Sequence, residues 1–500
     1  MSNFINALKS ETNFTTTENG AITHKTTMSD LYDMFAMGGA YRTRSDEDVI
    51  LMWRKAFAEN PVYALKCLFY LRDVRGGQGE RRFFRVAMKD LATYDYASAE
   101  RNLKHIPEFG RWDDLYIFIG TPLEKEAFQM MKNQLALDME CKTPSLLAKW
   151  LKSINTSSAE SRDLGDRTRR AFGMTHKQYR KTLSILRERI RIVERLMSEN
   201  RWDEIEFDKI PSRAGFIYRN AFARRDILKE KYEAFAKDEN TTVNAGTLYP
   251  YECVAQAINA CRESGWGYRY TLPPIDDVNR LMINKYWDNL TDYFKGASFN
   301  GLAVVDTSGS MTMNGGMPIN VATSLGLYCA EKANGPFKGH YISFSKNPRL
   351  VAVEGIDFVD KVKRIVETDL CENTNIEATF DLVLNTAIKN KMTQDDLPQN
   401  LIIISDMEFD YMRYDPRGRG FTATLMENIE YKWNQAGYKM PHLVFWNVNA
   451  RNNNIPMMDK DGVSFVSGFS PVLFEQIMSG KTGYELMKEK LDSERYACIQ

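Results

Sequence analysis

Apolar residues in this chain change their spacing near Ser298, and that change decides what the chain can fold into. From about Thr27 to Lys295 they return every three or four positions with charges between them, the pattern of amphipathic helices. Helices are expected over Asp46 to Glu59, Val62 to Leu71, Arg81 to Leu91, Ser98 to His105, Pro122 to Leu137, Ser145 to Ile154, His176 to Glu199 and Tyr251 to Ser264. Loops carrying Gly76-Gly77, Pro107 to Gly110 and Pro273-Pro274 separate them. After Ser298 short apolar runs alternate with helical stretches. Strands are expected at Gly301 to Val305, His340 to Ser345, Arg349 to Val353, Leu401 to Ser405, His442 to Val448 and Val463 to Ser467. Helices fall between them at Pro318 to Lys332, Phe358 to Glu367, Ile376 to Lys389 and Thr422 to Gln435. Strand followed by helix, repeated, builds a parallel sheet.

The expected architecture is therefore multidomain: an N-terminal tail over 1–26, an all-α domain over 27–295, and a doubly wound α/β domain over 296–500. Short helices joined by short loops suggest helical pairs stacked as a HEAT-like repeat. With 500 residues, 43% of them hydrophobic, the chain can build more than one core. Seven cysteines without a Cys-x-x-Cys pair argue against a disulfide framework or a zinc ribbon and fit a reducing compartment. There is no uninterrupted apolar stretch of signal or membrane-spanning length, so a cytoplasmic protein is expected, in the host cytoplasm or associated with a virion if the source is viral.

Three polar loops carry the chemistry. The first strand ends in Asp306-Thr307-Ser308-Gly309-Ser310, where two hydroxyls two residues apart can face one ion. A later strand ends in Ser405-Asp406, and Thr374 precedes a helix. Ligands of open parallel sheets bind beyond the carboxyl ends of the strands, where these loops fall. Oxygen-only ligands suit a hard cation. The sequence DTSGS, then TN before a helix, then an apolar strand ending SD resembles the metal-ion-dependent adhesion site of von Willebrand factor A domains. That resemblance implies Ser308 and Ser310 as direct ligands of one divalent cation, Mg²⁺ first, with Mn²⁺ or Ca²⁺ as alternatives. Thr374 would bind directly or through water, and Asp306 and Asp406 mainly through water. A partner's acidic residue would fill the open position. Glu372-Asn373 stands where the family commonly has glycine. Helix caps and turns are the ordinary use of single Asp and Ser residues, and a two-metal hydrolytic site built on Asp406, Glu408 and Asp410 is a third reading.

Formal charge balances at 66 Lys+Arg against 66 Asp+Glu, yet basic residues cluster locally. One cluster, Arg72, Arg75, Arg81, Arg82 and Arg85, surrounds Gly76-Gly77-Gln78-Gly79. The other includes Arg162, Arg167, Arg169, Arg170, Lys177, Arg180, Lys181, Arg187, Arg189, Arg191 and Arg195. At helical spacing several of these can share a face and meet phosphates, with Phe172 and Tyr179 available for stacking, although a solvated helix face explains either cluster equally well. The glycine segment lacks the Lys-Ser/Thr of a P-loop, and no nucleophile elbow accompanies the five histidines, so no enzyme is expected.

A helical domain followed by an adhesion-type domain resembles the Ro ribonucleoprotein family. The segments Leu71 to Gly77, Phe109 to Leu115 and Lys209 to Arg213 are similar to an uncharacterised Ro-like branch found in large phages and plants. The resemblance implies binding of single-stranded or small structured RNA. The alternative is a metal-dependent interaction or assembly component, such as a viral structural protein, without RNA binding.

Overall fold

The computed structural model describes residues 3–190, 192–262, 268–271, 275–344, 347–368, 375–411, 424–458, 460–478 and 481–500. The chain is multidomain, mostly helical in its N-terminal part, and carries a mixed, largely parallel sheet toward its C-terminus. It divides into two compact units. One comprises 1–61 with 245–493, and the other comprises 62–244 with 494–500.

The sheet unit begins with a hairpin, β1 (Phe14–Thr16) and β2 (Ile22–His24), paired antiparallel with Phe14 opposite His24. A second antiparallel pair, β3 (Asn259–Arg262) and β4 (Tyr268–Thr271), comes next in the chain. The main sheet contains β5 (Gly301–Asp306), β6 (His340–Phe344), β7 (Arg349–Ala352), β8 (Asn400–Ser405), β9 (His442–Asn447) and β10 (Val463–Ser467), in the order β10-β9-β8-β5-β6-β7. Every neighbour pair is parallel except β6 with the edge strand β7. Chain order reverses at β5 and β8, which makes their carboxyl ends the place where an open sheet of this kind leaves a crevice. All six residues of β5 are buried, as expected of a strand covered on both faces. Helix Met313–Lys332 crosses it so closely that a Cβ on Gly326 would lie 2.3 Å from Val305 Cγ2. Its regular turns start after Asn314, Gly315 and Gly316, which are left-handed, and Pro318 fits the first of them.

Residues 1–26 and 245–296 differ from expectation. The first were expected as a tail, yet β1 and β2 pair and His24 bridges Ile455, within the sheet unit. Helix Asp277–Asp288, expected in the α-helical domain, stacks Trp287 on Phe358 at 4.2 Å and joins Arg280 to Asp357 with two hydrogen bonds of 2.8 Å. Periodicity reports that a helix has an apolar face, not which core receives it.

The helical unit holds Arg82–Tyr94, Tyr96–Leu103, Glu124–Glu140, Ala159–Phe172, His176–Arg189, Ser212–Arg224 and Asp226–Lys237, among others. Three expected helices are shorter than their patterns. Within Ser145 to Ile154 only Leu147–Trp150 is helical, because Arg187 takes its last carbonyls: Nε donates to Ala148 O at 2.9 Å and Nη2 to Leu151 O at 2.8 Å. The expected helix His176 to Glu199 is two, His176–Arg189 and Val193–Ser198. In the sheet unit, Tyr251 to Ser264 is helix only over Pro250–Ala257 and then becomes β3, whose backbone pairs with β4.

Candidate functional site

Strands β5 and β8 are neighbours, with Val305 opposite Ile404, so their last residues emerge side by side. Asp306 is fully buried. Its Oδ2 accepts from Ser405 Oγ at 2.5 Å and its Oδ1 from the Ser308 amide at 2.9 Å. The Ser308 and Ser310 hydroxyls lie 3.0 Å apart. Asp406, also buried, accepts from the Glu408 amide at 3.2 Å through Oδ1 and pairs through Oδ2 with Arg451 Nη2 at 3.1 Å. Burial first, and the charge of Asp406 second, hold the Asp306 carboxyl well above the usual range. Burial also raises Asp406, although Arg451 and Ser310 oppose it. Thr307 Oγ1 is buried and has no hydrogen-bond partner among the described residues.

The structure thus brings four of the five expected metal residues, Asp306, Ser308, Ser310 and Asp406, to one sheet edge. Thr374 lies outside the described residues. The loop after it enters helix Ile376–Lys389, with Asn375 Oδ1 accepting from the Ala378 amide at 2.9 Å. Two buried carboxyls beside the paired Ser308 and Ser310 hydroxyls are an all-oxygen donor set suited to a hard divalent ion. Glu408 is committed to the Asn452 side chain at 2.9 Å and the Glu18 amide at 2.7 Å. Among the described residues no group of three or more His, Cys, Asp or Glu side chains gathers as a metal cluster.

Sequence reasoning missed the surround. The hairpin loop between β1 and β2 docks beside β8: Thr17 Oγ1 donates to Phe409 O at 2.7 Å and Asn19 Nδ2 to Glu408 O at 2.6 Å. Glu18 bonds Arg451, and Asn452 Nδ2 donates to Glu18 Oε1 at 3.0 Å. One signal was present, a lone arginine in the asparagine-rich turn after β9 (Asn449 to Asn454). Nothing in the sequence around Glu18 marks it.

In the helical unit several of the expected RNA-binding cations make contacts within the chain. Arg72 is 2% exposed and donates from Nε and Nη2 to Asp114 Oδ2 at 2.9 and 2.7 Å. Arg85 reaches Asp114 Oδ1 at 2.7 Å, and together these guanidiniums hold Asp114 below the usual carboxylate range against its burial. A Cβ on Gly110 would meet Asp114 Oδ2 at 2.4 Å, so the Phe109-Gly110-Arg111-Trp112-Asp113-Asp114 segment is shaped to receive Arg72. Asp73 accepts from Tyr496 Oη at 3.0 Å and Arg495 Nη2 at 2.6 Å, fixing the chain's C-terminal residues to the Gly76-Gly77 loop. Arg75 donates to Glu108 O at 2.5 Å. Arg81 is exposed, held near Arg85 and Asp113, and Arg82 is half-buried with its amide on Glu80 Oε1 at 2.9 Å.

The second cluster divides. Arg187 caps a helix, as above. Arg167 pairs with Asp163 at 3.0 Å, and Arg169 and Arg170 share Asp166 at 2.7 and 3.1 Å. Arg162, Arg189 and Arg195 donate to backbone carbonyls. Phe172 and Tyr179, proposed for stacking, are buried against each other with ring centroids 6.4 Å apart. Arg191 lies outside the described residues. Lys177, Arg180 and Lys181 on helix His176–Arg189 are exposed and make no ion pair among the described residues.

The family model described as Domain of unknown function (DUF2828) matches residues 17–145 and 145–296, and that of Domain of unknown function (DUF7788) matches 300–497. The chain belongs to the DUF2828 family. An uncharacterized protein of Acanthamoeba polyphaga mimivirus is 30% identical to this DUF2828 member over 519 residues, covering 94% of this chain and 85% of the relative. The crystal structure of the Deinococcus radiodurans RO (RSR) protein aligns over 92% of each chain with a TM-score of 0.39 and 13% identity. Among the described residues no helix is long and apolar enough to cross a membrane.

Proposed function

We propose that this chain is a non-enzymatic, Ro-like RNA-binding protein whose von Willebrand A-type sheet unit holds one divalent cation and recruits a partner through it. The buried Asp306 and Asp406 carboxylates at adjacent strand ends carry this reading, because among the described residues one guanidinium, that of Arg451, pairs with them. Ser308 and Ser310 would ligate the ion, with Asp306 and Asp406 behind them and Thr374 from the third loop. The ion supplies a Lewis-acidic position for an acidic residue of the partner. Mg²⁺ is the natural occupant, and Mn²⁺ is the convenient probe. The test is a Mn²⁺ titration of the wild-type chain and of the Asp306→Ala, Ser308→Ala double variant. One ion bound by the first and none by the second is the expected result, and equal binding removes the assignment.

For RNA, the supporting surface is Lys177, Arg180 and Lys181, presented by a unit read as HEAT-like helical pairs. It reads phosphate backbone rather than base edges. Fluorescent single-stranded RNA should bind at low salt and weaken steeply as salt rises. Absence of binding at low salt would leave the alternative, a cation-dependent assembly component without RNA.

A further inference from the structure

We propose that Arg451 is a built-in competitor for the cation at the Asp306–Asp406 pair, and that Glu18 is the counter-charge that receives Arg451 when the cation enters. The inference rests on the cation reading above. Among the described residues Asp306 is met by neutral donors, Ser405 Oγ and the amide and hydroxyl of Ser308, whereas Asp406 pairs with a cation, Arg451 Nη2 at 3.1 Å. A divalent ion at the same carboxylates would face that guanidinium as a like charge inside a buried, weakly screened site. The two cations therefore oppose each other's occupancy. Arg451 can give way without being stranded, because its Nη1 already meets Glu18 Oε2.

Glu18 is well placed for that exchange. Its amide donates to Glu408 Oε2 at 2.7 Å and its Oε1 accepts from Asn452 Nδ2 at 3.0 Å, so the carboxylate is positioned from both ends while remaining 46% exposed. Arg451 Nε is buried and has no hydrogen-bond partner among the described residues, so the guanidinium is not fully committed where it stands. The β1–β2 hairpin thereby tunes a site at the far end of the sequence. Strong attraction between Glu18 and Arg451 favours the cation; its loss favours the guanidinium on Asp406.

The experiment is a Mn²⁺ titration of the full-length chain in four forms: wild type, Arg451→Gln, Glu18→Gln and the double variant. Arg451→Gln should tighten Mn²⁺ binding on the order of tenfold, the effect of removing one like charge from a poorly screened site. Glu18→Gln should loosen it several-fold, and by less where Arg451 is already Gln. Arg451→Lys, which keeps the charge, should stay close to wild type and guards against a folding defect in the Gln variant. Unchanged or weaker binding in a folded Arg451→Gln protein overturns the proposal. Asp306→Ala separates the two failures. Wild-type binding that ignores Asp306 overturns the cation reading itself, while Asp306-dependent binding that ignores Arg451 overturns only the competition.

Discussion

Asp114 in the helical unit and Asp306 in the sheet unit are both buried carboxylates, but their surroundings differ in kind. Asp114 meets the guanidiniums of Arg72 and Arg85 and is held ionised. Asp306 meets neutral donors from Ser405 and Ser308, faces a second carboxylate, and is pushed toward protonation. A closed charge network of the first type stabilises one arrangement of helices. An open one of the second type costs stability unless something outside the chain completes it, and such incomplete sites are where function is found.

The comparison can be broken at its strongest point first. Arg72→Ala leaves Asp114 buried with one partner gone and should destabilise the helical unit by about 3–5 kcal/mol, read by chemical denaturation. A loss well under that range would mean the network is not structural. Reversing the charges of Lys177, Arg180 and Lys181 to Glu should leave that stability unchanged. It should weaken RNA binding at least tenfold and flatten the logarithmic salt dependence by about 2, since each single-strand phosphate contact contributes roughly 0.7.

The sheet unit should respond in the opposite direction. Asp306 has a raised folded-state pKa, so above the ordinary carboxylate range of about 4 the folded chain binds more protons than the unfolded one, and stability falls as pH rises. In chelator, Asp306→Asn should therefore raise the melting temperature at neutral pH and reduce this downward slope, while abolishing Mn²⁺ binding. A destabilised Asn variant with the wild-type pH slope would show that the carboxylate is already compensated. The smallest effect belongs to Arg167→Ala, whose exposed pair with Asp163 should contribute nothing measurable to stability.

Much of the sheet was legible because buried parallel strands are continuous apolar runs, and β5 and β8 end in the polar residues of the proposed site. Local pattern also placed most helices. What it could not provide was partnership across the chain. Arg72 reads as a free cation in its own segment, and the Asp114 that neutralises it lies 42 positions away. Arg187 reads as part of a basic helical face but caps the carbonyls of another helix. The same limit hid Glu18 and Arg451, which meet only because the β1–β2 hairpin folds onto the sheet unit. Helical periodicity over 245–295 could not reveal that this stretch packs with the sheet.

The central claim is that the Asp306–Asp406 pair is a cation site. Isothermal titration of the metal-free, full-length protein with Mn²⁺ tests it directly. The account predicts one Mn²⁺ per chain, lost in the Asp306→Ala, Ser308→Ala variant while the helical unit stays folded. Mn²⁺ binding of equal affinity in both proteins would contradict it.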